Sequence, residues 1–177
     1  LADGIAFRTG RVHELCGRSR RVLAAMICGV AKGPVIWGQS AWNRDRLYPP
    51  GMVPFCDPGQ ILVARGRKPV DLLWTVEESL RSGAVAVAIA ELPEPPGLTP
   101  VRRLHLAAEA GGGRGIGLLL TPGTGGAPGV ESRWQTEPAA AGGWHVTRLR
   151  ARLEPQTRLH LRRNRDGTML AHPVASD

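Results

Sequence analysis

Seven consecutive apolar residues, Ala84-Val85-Ala86-Val87-Ala88-Ile89-Ala90, constrain the fold more than any other part of this chain. The run is too short for a buried helix, and it is built from small and β-branched side chains. Ser82-Gly83 bounds it on one side and Glu91 on the other. A strand buried on both faces has this composition, as in the middle of a parallel sheet. Ile116-Gly117-Leu118-Leu119-Leu120 is a second run of the same kind. Val12–Cys16, Pro34–Trp37 and Gln60–Ala64 are shorter strand candidates. Helical spacing lies between them. Arg20–Ala31 is apolar at Val22, Leu23, Met26, Ile27 and Val30. Val70–Arg81 places Val70, Leu73, Val76 and Leu80 on one face, with Glu77, Glu78 and Arg81 outside it. Thr99 as N-cap and Pro100 in the first turn open a third helix, lined by Val101, Leu104 and Ala108 and stopped at Gly111–Gly113. Ala41–Pro58, with four prolines, reads as a loop holding one short helix. The order β-α-β-loop-β-α-β-α-β predicts a largely parallel sheet with helices on both faces.

After Thr121 the pattern changes. Pro122–Gly129 holds four glycines and two prolines and reads as a flexible loop. Val130–Thr136, Trp144–Leu153, Arg158–Arg163 and Thr168–Ala171 follow without helices between them, the last two joined by an Arg165-Asp166-Gly167 turn. They predict an antiparallel meander. At 177 residues, against roughly 100–200 per domain, the expectation is one α/β domain over 1–177. Its core would be 1–121, and 122–177 its glycine-rich loop and basic antiparallel β extension.

Composition narrows the class. With 42% hydrophobic and 21% charged residues the chain is globular rather than disordered. No apolar run approaches the ~20 residues of a membrane helix, and no charged segment followed by an apolar one suggests a secretory leader. Cys16, Cys28 and Cys56 are odd in number and form no CxxC pair, so a reduced, cytoplasmic setting is expected. His13, His105, His145, His160 and His172 show no metal-ligand spacing, and His105 falls opposite Leu104, on the outer face of its helix. None of Ser19, Ser40, Ser79, Ser82, Ser132 and Ser176 lies in a G-x-S-x-G elbow. No catalytic residue, cofactor or metal is expected. Trp37 and Trp74 fall on apolar faces and read as core; an exposed Trp42, Trp134 or Trp144 would suit a partner contact.

Net charge is +8, which suggests an anionic partner. Two of the 23 basic residues are Lys, a skew that either GC-rich coding or a use of Arg for phosphate and carboxylate forks explains. Between Trp144 and Leu170 lie Arg148, Arg150, Arg152, Arg158, Arg162, Arg163 and Arg165 against Glu154 and Asp166, a net +5 of the chain's +8. Strand alternation puts Arg148, Arg150 and Arg152 on one face. This is either a solvated face or a patch for phosphate backbone or an acidic partner surface. It lacks interleaved aromatics, so base stacking is not signalled.

The strand ending at Gly17 and the helix after it stand where a P-loop would. A working loop, G-x-x-x-x-G-K-[ST], needs a second Gly, a Lys and a hydroxyl for phosphates and magnesium. Counted from Gly17, those places hold Val22, Leu23 and Ala24. A shortened loop would bring Arg20 or Arg21 to the Lys position, without the second Gly or the hydroxyl. Gly17, Arg20 and Arg21 therefore mark a vestigial loop, whose helix N-terminus could still bind an anion weakly.

Gly10-Arg11-Val12-His13-Glu14-Leu15-Cys16-Gly17 resembles the RecA segment leading into its P-loop. Leu80–Glu91 resembles the RecA helix, Ser-Gly turn and Walker B strand. Leu92–Ala110, Leu119-Leu120-Thr121-Pro122 and Gly129–Trp134 are similar to the ImuA branch of the RecA/SulA group. The resemblance spans about residues 3–163. It implies a RecA-like core that assists SOS-induced translesion DNA synthesis. It also implies an ImuB-type, inactive Y-family-like partner, an error-prone DNA polymerase III alpha-type subunit reached indirectly, and RecA as a further contact. A SulA-like division inhibitor that binds FtsZ shares the core; a diverged RecA-type ATPase is the third reading. Against the ATPase, RecA's catalytic Glu is replaced by Gly38-Gln39-Ser40-Ala41, and Glu91 stands where RecA has Asp. Glu91 is expected to cap the turn after its strand.

Overall fold

The computed structural model describes residues 1–174; residues 175–177, with Ser176 and the end of the expected 1–177 domain, lie outside the described residues. In chain order the elements are β1 (Val12–Cys16), α1 (Arg20–Val30), β2 (Val35–Ser40), α2 (Pro49–Met52), β3 (Ile61–Gly66), α3 (Pro69–Ser82) and β4 (Val87–Glu91). They continue with α4 (Leu98–Ala110), β5 (Ile116–Leu120), β6 (Ser132–Pro138), β7 (Trp144–Ala151), β8 (Thr157–Arg163) and β9 (Met169–Pro173). The strands form one sheet in the order β3-β2-β4-β5-β1-β6-β7-β8-β9. Every pair from β3 through β6 is parallel, and the pairs from β6 to β9 are antiparallel.

The apolar run lies where its composition requires. Ala88, Ile89 and Ala90 are fully buried, and Ile89 sits between Trp37 of β2 and Leu118 of β5. The strand begins at Val87 because Gly83, at φ 66°, ends α3 and the next three residues carry the chain back to the sheet. β6 corrects the expected meander: it joins the sheet parallel to β1, with Leu15 opposite Trp134, and turns antiparallel only towards β7.

Two hydrophobic layers sandwich the sheet. Leu23 and Ile27 of α1 pack with Leu15, Trp37, Ile89, Leu118 and Trp134 on one face. α3 and α4 cover the other, where Leu72, Val76, Val101 and Leu104 meet Val12, Ala88 and Leu119. Val146, Leu159 and Leu161 carry the α1-side layer into β7 and β8.

α3 is rotated from its expected face. Leu72, Val76 and Leu80 are buried, while Val70 and Trp74 are 62% and 61% exposed. Two glycines set the rotation. A Cβ on Gly66 would stand 2.8 Å from Leu72 Cδ2, and one on Gly38 3.5 Å from it, so the two glycines leave a socket that Leu72 fills. The same rotation buries Glu77 instead of leaving it outside. Its carboxylate accepts from Arg81 Nη2 at 2.6 Å and Arg103 Nη2 at 2.8 Å, tying α3 to α4.

α4 starts earlier than Thr99, with Gly97 at its N-cap. Pro100 is tolerated because the first four helical amides lack an intrahelical acceptor anyway.

The glycine-rich loop is pinned rather than loose. Glu14, fully buried in β1, accepts from Thr121 Oγ1 at 2.6 Å, Gly126 N at 2.9 Å and Ala127 N at 3.0 Å, and pairs with Arg133. Gly125, at φ 72°, passes so close that a Cβ would stand 2.7 Å from Glu14 Oε1.

Candidate functional site

The loop between β1 and α1 lies at the carboxyl end of the parallel strands, where open α/β sheets bind ligands. A phosphate cradle there needs backbone N–H groups aimed outward. Here they are spent inside the protein. Gly17 N donates to Gly123 O at 2.9 Å, Ser19 N to Thr136 O at 2.9 Å and Arg20 N to Gly17 O at 3.4 Å. Arg18 N donates to Glu137 Oε1 at 3.2 Å, and Arg18 Nε to Glu137 Oε2 at 2.9 Å. The loop's anion is thus the protein's own Glu137. Arg18's side-chain hydrogen bond holds that carboxyl below the usual carboxylate range. Gly17, at φ 85°, presses on β6: a Cβ would stand 2.4 Å from Thr136 O. At this helix N-terminus the amides of Gly17, Arg18, Ser19 and Arg20 are therefore engaged within the protein.

The second half of the position is filled by an ion pair. Arg21 donates through Nε to Glu91 Oε1 at 2.9 Å and through Nη2 to Glu91 Oε2 at 2.7 Å, a two-pronged fork. Trp37 Nε1 at 2.7 Å and Gln39 Nε2 at 3.1 Å also donate to Glu91 Oε1. Glu91 therefore does not cap its turn; it gathers α1, β2 and β4 into one polar knot. Its side chain is 10% exposed and that of Arg21 31%. Arg20 points elsewhere, with Nη1 on Gly17 O at 3.0 Å. Beside the knot is a cleft of about 430 Å³ lined by Arg20, Ser40, Trp42 and Arg44. Gln39 Oε1 and Ser40 Oγ are buried without a hydrogen-bond partner.

The seven C-terminal arginines do not form one patch. Between Arg133 and Trp134 the β6–β7 register slips by one residue, with Arg133 opposite Arg150 and Trp134 opposite Arg148. Leu149 is the extra residue of this bulge. A bulge breaks the period of two and re-aims the side chains beyond it, which corrects the expectation of one face for Arg148, Arg150 and Arg152. Arg148 is buried on the α1 side. It lies 5.3 Å over the Trp134 ring, donates to Pro155 O at 3.0 Å and pairs with Glu154. Arg150 and Arg152 line a cleft against α4 on the other side. Arg158 and Arg162 are exposed, and alternation along β8 puts them opposite the buried Leu159 and Leu161. Arg163 and Arg165 are exposed at the β8–β9 turn.

The histidines divide by environment. His13 is 1% exposed. Its Nδ1 is 2.7 Å from Ser132 Oγ and its Nε2 3.0 Å from Arg8 O, and burial pulls its pKa down to about 4. His105 is half-buried against the Gly129 carbonyl at 3.1 Å, with Nδ1 enclosed, rather than on the outer face. Register sets His145 opposite His160 and His160 opposite His172, a row that sequence spacing does not reveal. Among the described residues, no group of three or more His, Cys, Asp or Glu is placed to hold a metal ion. All three cysteines are free and buried, and burial pushes Cys16 and Cys28 up to about 12. Trp134 is core; Trp42 is the exposed one of the three suggested anchors, and Trp74 joins it at the surface. Glu14, Glu77 and Glu137, which organise these sites, carry no local motif. Glu14 meets Arg133 and Glu137 meets Arg18 across more than a hundred residues, and Glu77 meets Arg81 within its own helix and Arg103 from the next.

No protein-family model matches the chain. It is 36% identical over 120 residues to the protein ImuA from two strains of Caulobacter vibrioides, a match taking in 62% of this chain and 48% of the relative. The chain spans about half the length of the curated relatives it matches. The chain is thus similar to ImuA over that segment, in agreement with the ImuA-branch resemblance. Among the described residues no helix is long and apolar enough to cross a membrane.

Proposed function

We propose that this chain is a non-catalytic, RecA-like adaptor for SOS-induced, error-prone translesion DNA synthesis. It binds an ImuB-type, polymerase-like partner and through it an error-prone polymerase III alpha-type subunit, with RecA as a further contact. One observation carries the non-catalytic half. The amides of Gly17, Arg18, Ser19 and Arg20 all donate to protein acceptors, and Arg21 forks onto the strand-end Glu91. Nucleotide would have to break a largely enclosed pair, which costs several kcal/mol when one partner is left behind. The setting rests on the similarity to ImuA. A reduced, cytoplasmic compartment suits three buried, unpaired thiols.

The test has two arms. ATP with magnesium at millimolar concentration leaves the melting temperature unchanged and is not hydrolysed; a nucleotide at ~100 times its Kd would add about 2.7 kcal/mol of stability. An upward shift would favour the diverged ATPase. In parallel pull-downs the chain retains ImuB and not FtsZ. Retention of FtsZ alone would favour the SulA-like division inhibitor.

A further inference from the structure

The bulge at Leu149 has a product: a cleft of about 460 Å³ between α4 and β7. Arg102 reaches it from α4, Arg150 from β7, Arg152 from just after β7, and Arg11 from just before β1. Arg11 is already paired, with Glu109 and with Glu131 at 3.8 Å, and Glu131 also faces Arg8 at 3.6 Å. The two nearby acids are therefore engaged. Arg102, Arg150 and Arg152 have no side-chain hydrogen bond or ion pair within the described residues, and all three are exposed. Their charge is unanswered within the described residues.

The rest of the lining narrows the ligand. Leu98 and Leu106 are 38% and 64% exposed and line the same cleft. No Phe, Tyr or Trp lines it, and the ring of His105 is half-buried against the Gly129 carbonyl at 3.1 Å, so successive bases of a single strand would find no open stacking platform. Arginines around exposed leucines match a peptide segment that carries carboxylates beside apolar side chains, with each carboxylate taking a guanidinium fork and each apolar residue covering a leucine.

We propose that this α4–β7 cleft is a docking site for an acidic, leucine-bearing segment of a partner protein. Arg102, Arg150 and Arg152 read the carboxylates, and Leu98 and Leu106 read the apolar residues. The site does not depend on the adaptor reading, since it follows from unanswered charge and exposed leucines alone.

Two fluorescent peptides of equal charge serve as probes, one alternating aspartate with leucine and one alternating aspartate with serine, alongside oligo-dT. Anisotropy titrations use the full chain, the triple variant Arg102→Ser/Arg150→Ser/Arg152→Ser, and Arg158→Ser/Arg162→Ser as a basic control away from the cleft. The leucine peptide binds more tightly than the serine peptide. The triple variant weakens it by about tenfold or more, as truncation of buried interface arginines does, with an unchanged melting temperature. The Arg158/Arg162 variant leaves it within about twofold, close to the additivity limit for distant sites. Equal binding of the two peptides would overturn the proposal, as would equal loss in both variants. Oligo-dT binding that the triple variant abolishes, with no peptide binding, would assign the cleft to nucleic acid instead.

Discussion

His13 shows how one residue is set by its surroundings. Trp134 Nε1 donates to Ser132 Oγ at 2.9 Å, and the Ser132 hydroxyl faces His13 Nδ1. The other ring nitrogen faces a carbonyl, which can only accept. The consistent assignment is a neutral ring with its proton on Nε2, and burial lowers its pKa from 6.5 to about 4. In the unfolded chain the same imidazole takes up a proton as pH falls through 6.5, while the folded one resists until about 4. Its contribution is therefore complete above pH 6.5 and is lost as pH falls from there towards 4, a swing of up to about 3 kcal/mol. Urea unfolding at pH 7 and 4.5 should show this loss, and His13→Gln should remove most of it. An equal loss in the variant would place the effect elsewhere. Sequence shows His13 as a lone histidine in a strand. It does not show Ser132, which arrives 119 residues later through the β1–β6 pairing. Arg21 and Glu91 are a similar case. Sequence singles out Arg21 after Gly17 and Glu91 at the end of its apolar strand, but their fork exists only because α1 lies across the ends of β2 and β4.

At the scale of elements, local patterns are legible and rotations are not. Runs such as Ala84–Ala90 and Ile116–Leu120 identify themselves because burial on both faces leaves little but apolar residues. The face that α3 presents is different. Val70, Leu73, Val76 and Leu80 make as good a stripe as Leu72, Val76 and Leu80, and the choice falls to Gly38 and Gly66 on neighbouring strands. The Leu149 bulge is likewise a property of two strands together. The Pro122–Gly129 loop reads as flexible because its own residues offer no anchor; its anchor is Glu14. Glu14→Gln keeps the shape but removes the charge that Arg133 meets and replaces one acceptor oxygen with a donor facing Ala127 N. Removing one partner of a buried pair costs about 3–5 kcal/mol. The expected outcome is a lower melting temperature, with faster hydrogen exchange at Gly126 and Ala127 than in the wild type. An unchanged exchange rate there would show that the loop is held by its own packing.

Across the whole molecule, charge is sorted by topology rather than by position along the chain. Sequence locates an excess of arginine between Trp144 and Leu170, and that excess is present. What it cannot give is the sign of each residue's contribution to stability, because the bulge and the layer on the α1 side divide neighbours between core and solvent. Arg148 is a structural cation, 10% exposed at its side chain, stacked on Trp134 and bonded to Pro155 O and Glu154. Arg150 and Arg152 open into the α4 cleft, and Arg158 and Arg162 stand on the exposed side of β8. Single substitutions separate these roles. Arg148→Ser removes a charged hydrogen bond and a cation–π contact and leaves the Pro155 carbonyl without its donor, a loss of about 1–3 kcal/mol. Arg150→Ser, Arg152→Ser, Arg158→Ser and Arg162→Ser should each stay within about 0.5 kcal/mol, as exposed sites do. Denaturant midpoints of the five variants check this directly. If all five fall together, the arginines act as one structural edge. If Arg148→Ser is as stable as the rest, the contact with Trp134 is incidental and the layer on the α1 side closes over β7 without it.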